Sequence, residues 1–525
     1  MPQKVNAFAI NIIITQSIIH PFKKGAAMKR IRFVLVPLLV LILSLPVMPQ
    51  DGFKDIEKQV VEFKLKNGLK FLVLPRHDAP VVSFHTYVDV GSVNEDRGIT
   101  GLAHIFEHLA FKGTSDIGTK DIKKEKPALD ALDKAWKALR AEEQKGNGAD
   151  TVKLAALRKD FDGKQDEASK WIENNEFGKA IEENGGVGLN ASTSSEITQY
   201  FYSLPSNKLE LWFTLESGRF YDPVFRDFYK EKNVVMEERR MRTESNPLGK
   251  LLEEFIATSF KAHPYRDPVV GHMSDLKAIS KDDATAFFKK YYVPSNMVIA
   301  VVGDVEAKEV QRLAEIYFGR IPQSPKPEPV RTTEPPQNSE RNVILREQSQ
   351  RWLLVGYKKG SASDPDDAVY DVATDVLSSG RTSRLYKSLV RDSKIAINAA
   401  GISGFPGSKY PNLFLFYAMP SQGHTNEECL AAIDAEIKKL KTDLVSDEDL
   451  KAVKTRARAN LIRSLSSNSG MAMQLTYNEV LMGNWHEMFK ALDKINAVTA
   501  NDVQRVANKI FVETNRTIGT IEPVK

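Results

Sequence analysis

The sequence predicts an α+β protein of two similar lobes from a duplicated unit, each lobe an antiparallel-rich sheet packed against helices. Three observations carry this reading. A hairpin signal is followed by a third strand and then directly by an amphipathic helix, so sheet and helix belong to one unit within residues 61–109. Ile279-Ser280-Lys281-Asp282-Asp283 through Tyr292-x-x-x-Asn296 aligns without a gap to Val498-Thr499-Ala500-Asn501-Asp502 through Phe511-x-x-x-Asn515, an internal repeat. Between the copies lies a proline-rich run from Pro322 to Pro336 with the composition of a semi-rigid, solvated linker.

Length agrees, since 525 residues exceed what a single core serves. With 42% hydrophobic and 27% charged residues the chain is not a disordered type, and a net charge of +5 spread over scattered Lys and Arg gives no case for nucleic acid. At the amino end, Met28-Lys29-Arg30-Ile31-Arg32 precedes the apolar run Phe33 to Met48, the layout of an export signal and short for a membrane span. Leu45 to Gln50 lacks a small-residue cleavage pattern, so anchoring in the membrane by residues 33–48 is the alternative to removal. Translation is expected to begin at Met28, and the mature chain to be periplasmic or otherwise extracytoplasmic. The expected layout is an extension over 1–50, a first lobe over 55–320, a linker over 321–340 and a second lobe over 341–525.

In order, Val61-Glu62-Phe63-Lys64-Leu65 alternates, Asn67-Gly68 turns the chain, and Leu69 to Leu74 returns as a second strand. Val81 to Val90 is the third. Gly101 to Phe111 follows, a helix on which His104, Glu107 and His108 share a face while Leu102, Ile105, Phe106 and Leu109 supply apolar cover. Two imidazoles one turn apart are half of a zinc site, and Glu107 beside them suits a base that takes a proton from the metal's water. Residues 119–177 read as an antiparallel helical hairpin: Leu129, Leu132, Trp136 and Leu139 step helically, Gly146-Asn147-Gly148 interrupts, and Leu154, Leu157, Phe161, Ala168 and Ile172 resume. Its charged faces favour a solvated protrusion over a wall of the cleft or a partner's dock.

Gly185-Gly186-Val187-Gly188 opens a strand that runs on through Asn190 and Ala191. Tyr229 to Met241 is helical, with Glu231, Val234, Val235, Glu238 and Met241 on one face. Two carboxylates two turns apart on a partly apolar face are costly unless they meet a cation or a donor. His263 and His272 lack ligand spacing, and Cys429 sits where a small buried residue of an amphipathic helix would; all three read as structural.

Together these segments resemble the pitrilysin, insulin-degrading enzyme and mitochondrial processing peptidase family, the inverzincins, in its bacterial, processing-peptidase-like branch; their His-x-x-Glu-His reverses the usual zincin order. The resemblance extends over Gly91-Ser92, Phe111-Lys112-Gly113-Thr114, His263-Pro264-Tyr265, Tyr292-x-Pro294-x-Asn296 and Val302-Gly303-Asp304. It implies a zinc-dependent endopeptidase that cuts extended or unstructured peptides, with one Zn2+ per chain. His104, His108 and Glu238 are the implied ligands, Glu107 the base and Glu231 the supporting carboxylate; Glu237 competes for the ligand role but breaks the seven-residue step from Glu231. Asn190 and Ala191 are implied to pair with substrate backbone. Arg391 matches an arginine that reaches the substrate from the second lobe, while Asn398 stands where the family has a tyrosine. Either Asn398 serves in its stead, or a partner chain in a homodimer or heterodimer supplies that half of the site. A non-catalytic or partner-dependent subunit is the alternative function.

Overall fold

The computed structural model describes residues 50–524; the export segment and the start at Met28 lie outside the described residues. Among the described residues, no helix is long and apolar enough to cross a membrane. Strands β1 (Val61–Lys64), β2 (Lys70–Pro75), β3 (Val81–Val88), β4 (Val187–Thr193), β5 (Thr198–Pro205) and β6 (Met297–Gly303) form a six-stranded sheet in the order β1-β2-β6-β3-β5-β4. A five-stranded sheet holds β7 (Arg341–Glu347), β8 (Trp352–Lys359), β9 (Ala396–Phe405), β10 (Asn412–Pro420) and β11 (Arg516–Pro523) in the order β7-β11-β8-β10-β9.

Without β1, the two orders are the same, strand for strand. In each sheet the final strand inserts parallel to the first, β6 beside β2 and β11 beside β7, and every other pairing is antiparallel. The sequence repeat falls at equivalent places. Ser280 with Asp283, and Thr499 with Asp502, form capping boxes at the start of helices Lys281–Tyr291 and Ala500–Ile510. Asn296 Nδ2 then donates to the carbonyls of Tyr291 and Asp89 at 2.9 and 3.1 Å, and Asn515 Nδ2 to those of Ile510 and Lys358 at 2.9 and 2.8 Å. Each Asn ties the spent helix end to the strand beside it.

The lobes exchange helices. Asn468–Met482 of the second lobe lies on β3 and β6, where Met471, Ala472 and Leu475 share a buried cluster with Leu72, Leu74, Ala300 and Val302. Reciprocally, Pro247–Ser259 of the first lobe lies on β7, β8 and β11 through Leu251 and Phe255. The Phe255 ring sits on Gly356 and Gly519, where an added Cβ would come within 2.8 and 2.9 Å of it. Close approach, not turn geometry, demands glycine at both positions. Polar ties reinforce the junction: the Lys409 N–H donates to Glu196 Oε1 at 2.7 Å, and its amine pairs with Asp89.

Two expectations need qualifying. The linker is extended and largely exposed, but it is not loose: the Glu334 carboxylate accepts from the N–H groups of Lys261, Ala262 and His263 at 2.8 to 3.0 Å and pairs with Lys358. Burial opposes its charge, yet these donors outweigh the penalty and hold its pKa down at about 2. The hairpin of helices Ile122–Glu143 and Thr151–Ser169 is not a free protrusion either. Leu129, Leu132, Trp136, Leu139 and Phe161 are buried in the first lobe's core, and only the outer faces meet solvent.

Because Phe255 is fully buried across the lobe junction, Phe255→Ala is expected to lower stability by about 3–5 kcal/mol. The shift of the denaturant midpoint measures this.

Candidate metal centre

Helix Leu102–Leu109 begins at Gly101, whose φ of 97° is left-handed and whose Cβ, if present, would lie 2.8 Å from the Val270 carbonyl. The Glu95 carboxylate accepts from the N–H groups of Gly101 and Ala103, both at 2.7 Å, satisfying the helix's first donors. Leu102, Ala103, Ile105, Phe106 and Leu109 turn into the core, Phe106 among the rings of Phe225, Phe287, Phe288 and Tyr292. That leaves His104, Glu107 and His108 lining the cleft. Alongside runs Phe228–Arg239, which buries Phe228, Tyr229 and Val235 and passes into a π-helical turn, Arg240–Glu244.

The two helices bring His104, His108 and Glu238 together, with one ligand atom of each within 4.8 Å of the others, the sole such group of three His, Cys, Asp or Glu among the described residues. Glu238 Oε2 lies 3.5 Å from His104 Nε2 and 3.6 Å from His108 Nε2. Donors bound at 2.0–2.1 Å around one tetrahedral ion stand about 3.3–3.4 Å apart, so the triad matches zinc in both geometry and chemistry. Glu237 points away, exposed and paired with Arg240.

Behind the donors is a layer of charge. His108 Nδ1 lies 3.3 Å from Glu231 Oε2, and the Lys112 amine lies 2.6 Å from Glu231 Oε1. Arg242 lies 2.7 Å from Glu238 Oε1, the oxygen turned away from the imidazoles. Burial pushes His104 down to about 4, and its buried Nδ1 has no hydrogen-bond partner. His108 is also penalised by burial, but Glu231 and Glu238 overcome that and raise it to about 9. Glu238 is held down at about 2, against desolvation, by His108, His104 and Arg242. Burial raises Glu107 above the ordinary carboxylate range, opposed by a hydrogen bond with Thr193 and by His108.

Asn190 and Ala191 lie on β4, the outer strand of the first sheet, and line the cleft with Glu107 and His108. Asn190 Oδ1 accepts from the Ala191 N–H at 2.9 Å. The cleft, about 2140 Å³, draws its far wall from the second lobe, including Asp371, Arg463 and Gln474. Arg391 is not part of it. Leu389 anchors the turn Tyr386–Asp392 in the second lobe's own helical core, leaving Arg391 exposed with its guanidinium on Asp392 at 2.6 and 2.9 Å. Asn398, on edge strand β9, hydrogen-bonds Tyr417 instead. A substrate contact by Arg391 within one chain is therefore corrected. His263 accepts from the Tyr265 N–H, and Cys429 is buried with its thiol pushed up to about 11, both outside the site. Lys112 and Arg242 were not readable as site residues. Arg242 did carry a signal, four residues after Glu238, but that spacing is the mark of any surface ion pair.

This fold and donor set agree with what the chain is similar to. Residues 71–133 and 167–272 match the family described as "Insulinase (Peptidase family M16)", and residues 278–457 match "Peptidase M16 inactive domain". The chain belongs to peptidase family M16. Zinc protease PqqE of Helicobacter pylori is 28% identical over 472 residues, covering 87% of this chain and 92% of that protein. A mitochondrial-processing peptidase subunit beta of Arabidopsis thaliana is 23% identical, covering 88% and 78%. Among solved structures, a protease from Helicobacter pylori superposes with a TM-score of 0.74 at 25% identity, over 88% of this chain and 99% of that one. The periplasmic protease PqqL of Escherichia coli shares the fold at a TM-score of 0.65 and 16% identity, over 89% of this chain but 48% of its own.

In protein stripped of metal, the raised pKa of His108 contributes stability that is full below the unfolded value of 6.5 and is lost as pH rises through about 9. Urea unfolding with chelator present should show that decline, and His108→Gln should flatten it.

Proposed function

We propose that this chain is a zinc-dependent endopeptidase acting on extended or unstructured peptides. The convergence of two imidazoles and one carboxylate beside a half-buried glutamate that lines the cleft carries the reading. When bound, zinc supplies Lewis acidity for polarising a carbonyl and acidifying water. The rest is done by the chain. Glu231 accepts from Nδ1–H of His108, which fixes the tautomer and leaves Nε2 for the metal. Glu107, its proton affinity raised by burial, takes a proton from the attacking water and delivers it to the departing amine. β4 offers its unpaired edge to a substrate in extended form, which selects for conformation more than for sequence. The "inactive domain" match begins at residue 278, beyond all three donors, so it takes in none of the residues of the metal triad. Relatives bearing the name zinc protease support the same conclusion.

The position of Arg391 favours a second element, completion of the site by another chain. This chain has the fold of the first half of Escherichia coli PqqL, covering 92% of that half but 48% of the whole protein. A second copy or a related chain would take the place of that remaining half, as the term subunit in the processing-peptidase relative implies of that protein. We further propose export to the periplasm, directed by residues 29–48 and either cleaved or retained as an anchor.

The purified chain should hold one zinc, and chelation should abolish peptide cleavage. Glu107→Gln should retain zinc and lose at least about 100-fold in kcat; cleavage that survives this substitution would sink the mechanism. Mixing Glu107→Gln with Arg391→Ala chains should restore turnover if copies share sites. Full activity of Arg391→Ala alone, or turnover of the mixture no higher than the sum of its two parts, would rule out sharing between copies.

A further inference from the structure

The helical hairpin has no part in the chemistry so far, and its residues 134–166 fall outside the family match. Its contacts are concentrated behind the metal centre. Trp136 stacks on Tyr229 with ring centroids 5.2 Å apart, and Phe161 meets the same ring edge-on at 5.5 Å. The Tyr229 hydroxyl donates to Asp133 at 2.6 Å, and Lys230 Nζ to Ser169 Oγ at 2.7 Å. The buried Lys232 amine lies 4.6 Å from the centre of the Trp136 ring and donates to the carbonyl of Ile279 at 3.0 Å. Tyr229, Lys230 and Lys232, which flank Glu231 on both sides, are thus all held by the hairpin.

A second grip reaches the other end of the same ion pair. Glu125, in the hairpin's first helix, and Arg226 are both fully buried and bonded at 2.7 and 3.1 Å. Arg226 also donates to the carbonyls of Lys112, Thr114 and Ile117 at 2.6 to 2.8 Å, fixing the backbone from which the Lys112 side chain reaches Glu231. Both grips converge on the Lys112–Glu231 pair, and Glu231 meets His108.

We propose that the hairpin is a positioning brace for the metal site: through Trp136, Asp133 and Glu125 it sets the Lys112–Glu231 pair, and through Glu231 the orientation of His108. Its two helices contribute no residue to the lining of the cleft. The proposal rests on the reading of the site as a zinc centre. Loss of an outer partner of a ligating histidine characteristically costs 10- to 100-fold in metal affinity, and the brace lies one step further out.

The test is zinc affinity of the full chain, by competition with a chromophoric chelator. Trp136→Ala should weaken zinc about 10-fold, Trp136→Phe should restore most of it, and the milder Tyr229→Phe should fall between. At saturating zinc, KM for a peptide should stay at the parental value, since β4 is untouched. Leu440→Ala, a core truncation in the second lobe, should lower Tm and leave zinc affinity unchanged. Parental zinc affinity in folded Trp136→Ala and Tyr229→Phe would overturn the brace, as would equal weakening by Leu440→Ala. A parent chain that binds no zinc would instead overturn the zinc-centre reading itself.

Discussion

The structure is built around the cost of one half-buried negative charge. Glu238 is a half-buried carboxylate on a helix with little apolar surface, and it is tolerable only because two imidazoles and a guanidinium face it. Those imidazoles come from another short helix more than a hundred residues earlier. Much of the first lobe serves to hold these two helices side by side. Glu95 and Gly101 fix the start of one, the rings around Phe106 anchor its inner face, and Tyr229 and Val235 seat the other.

Duplication supplied the frame, and the copies then took different work. Both sheets have the same strand order, and β4 and β9 are equivalent outer edges. Only β4 has a metal-motif helix beside it. The polar groups near β9 are satisfied locally, Arg391 by Asp392 and Asn398 by Tyr417. Within one chain, the triad of possible metal ligands belongs to the first lobe, while the second contributes a wall of the cleft and a helix that covers the first lobe's sheet.

The site was legible where its meaning lay in local spacing. His104, Glu107 and His108 share a helix face by arithmetic, and Glu231 and Glu238 stood out as carboxylates on a partly apolar face. The repeat was legible because capping boxes and strand-leading asparagines are local devices. What escaped depends on remote partners. Nothing near Glu334 reveals that its three donors lie at residues 261–263, and a proline-rich composition gives extension but not docking. The apolar stripe of the hairpin was visible, yet its many charges masked how deeply Trp136 and Phe161 are inserted. The place of Arg391 outside its own chain's cleft was not legible because a motif match fixes identity, while the direction a side chain takes is set by what anchors its neighbours, here Leu389.

The helix exchange bears on how such a chain could have arisen. With Phe255 on Gly356 and Gly519, and Leu475 over β3 and β6, each half relies on the other's helix to cover one face of its sheet. A one-lobe forebear carrying the same overhanging helix would have left a broad greasy surface open to water, and the simplest cover was its own twin. Gene fusion would then have turned a partnership between equals into one polypeptide, freeing one member to keep the metal and the other to become its lid.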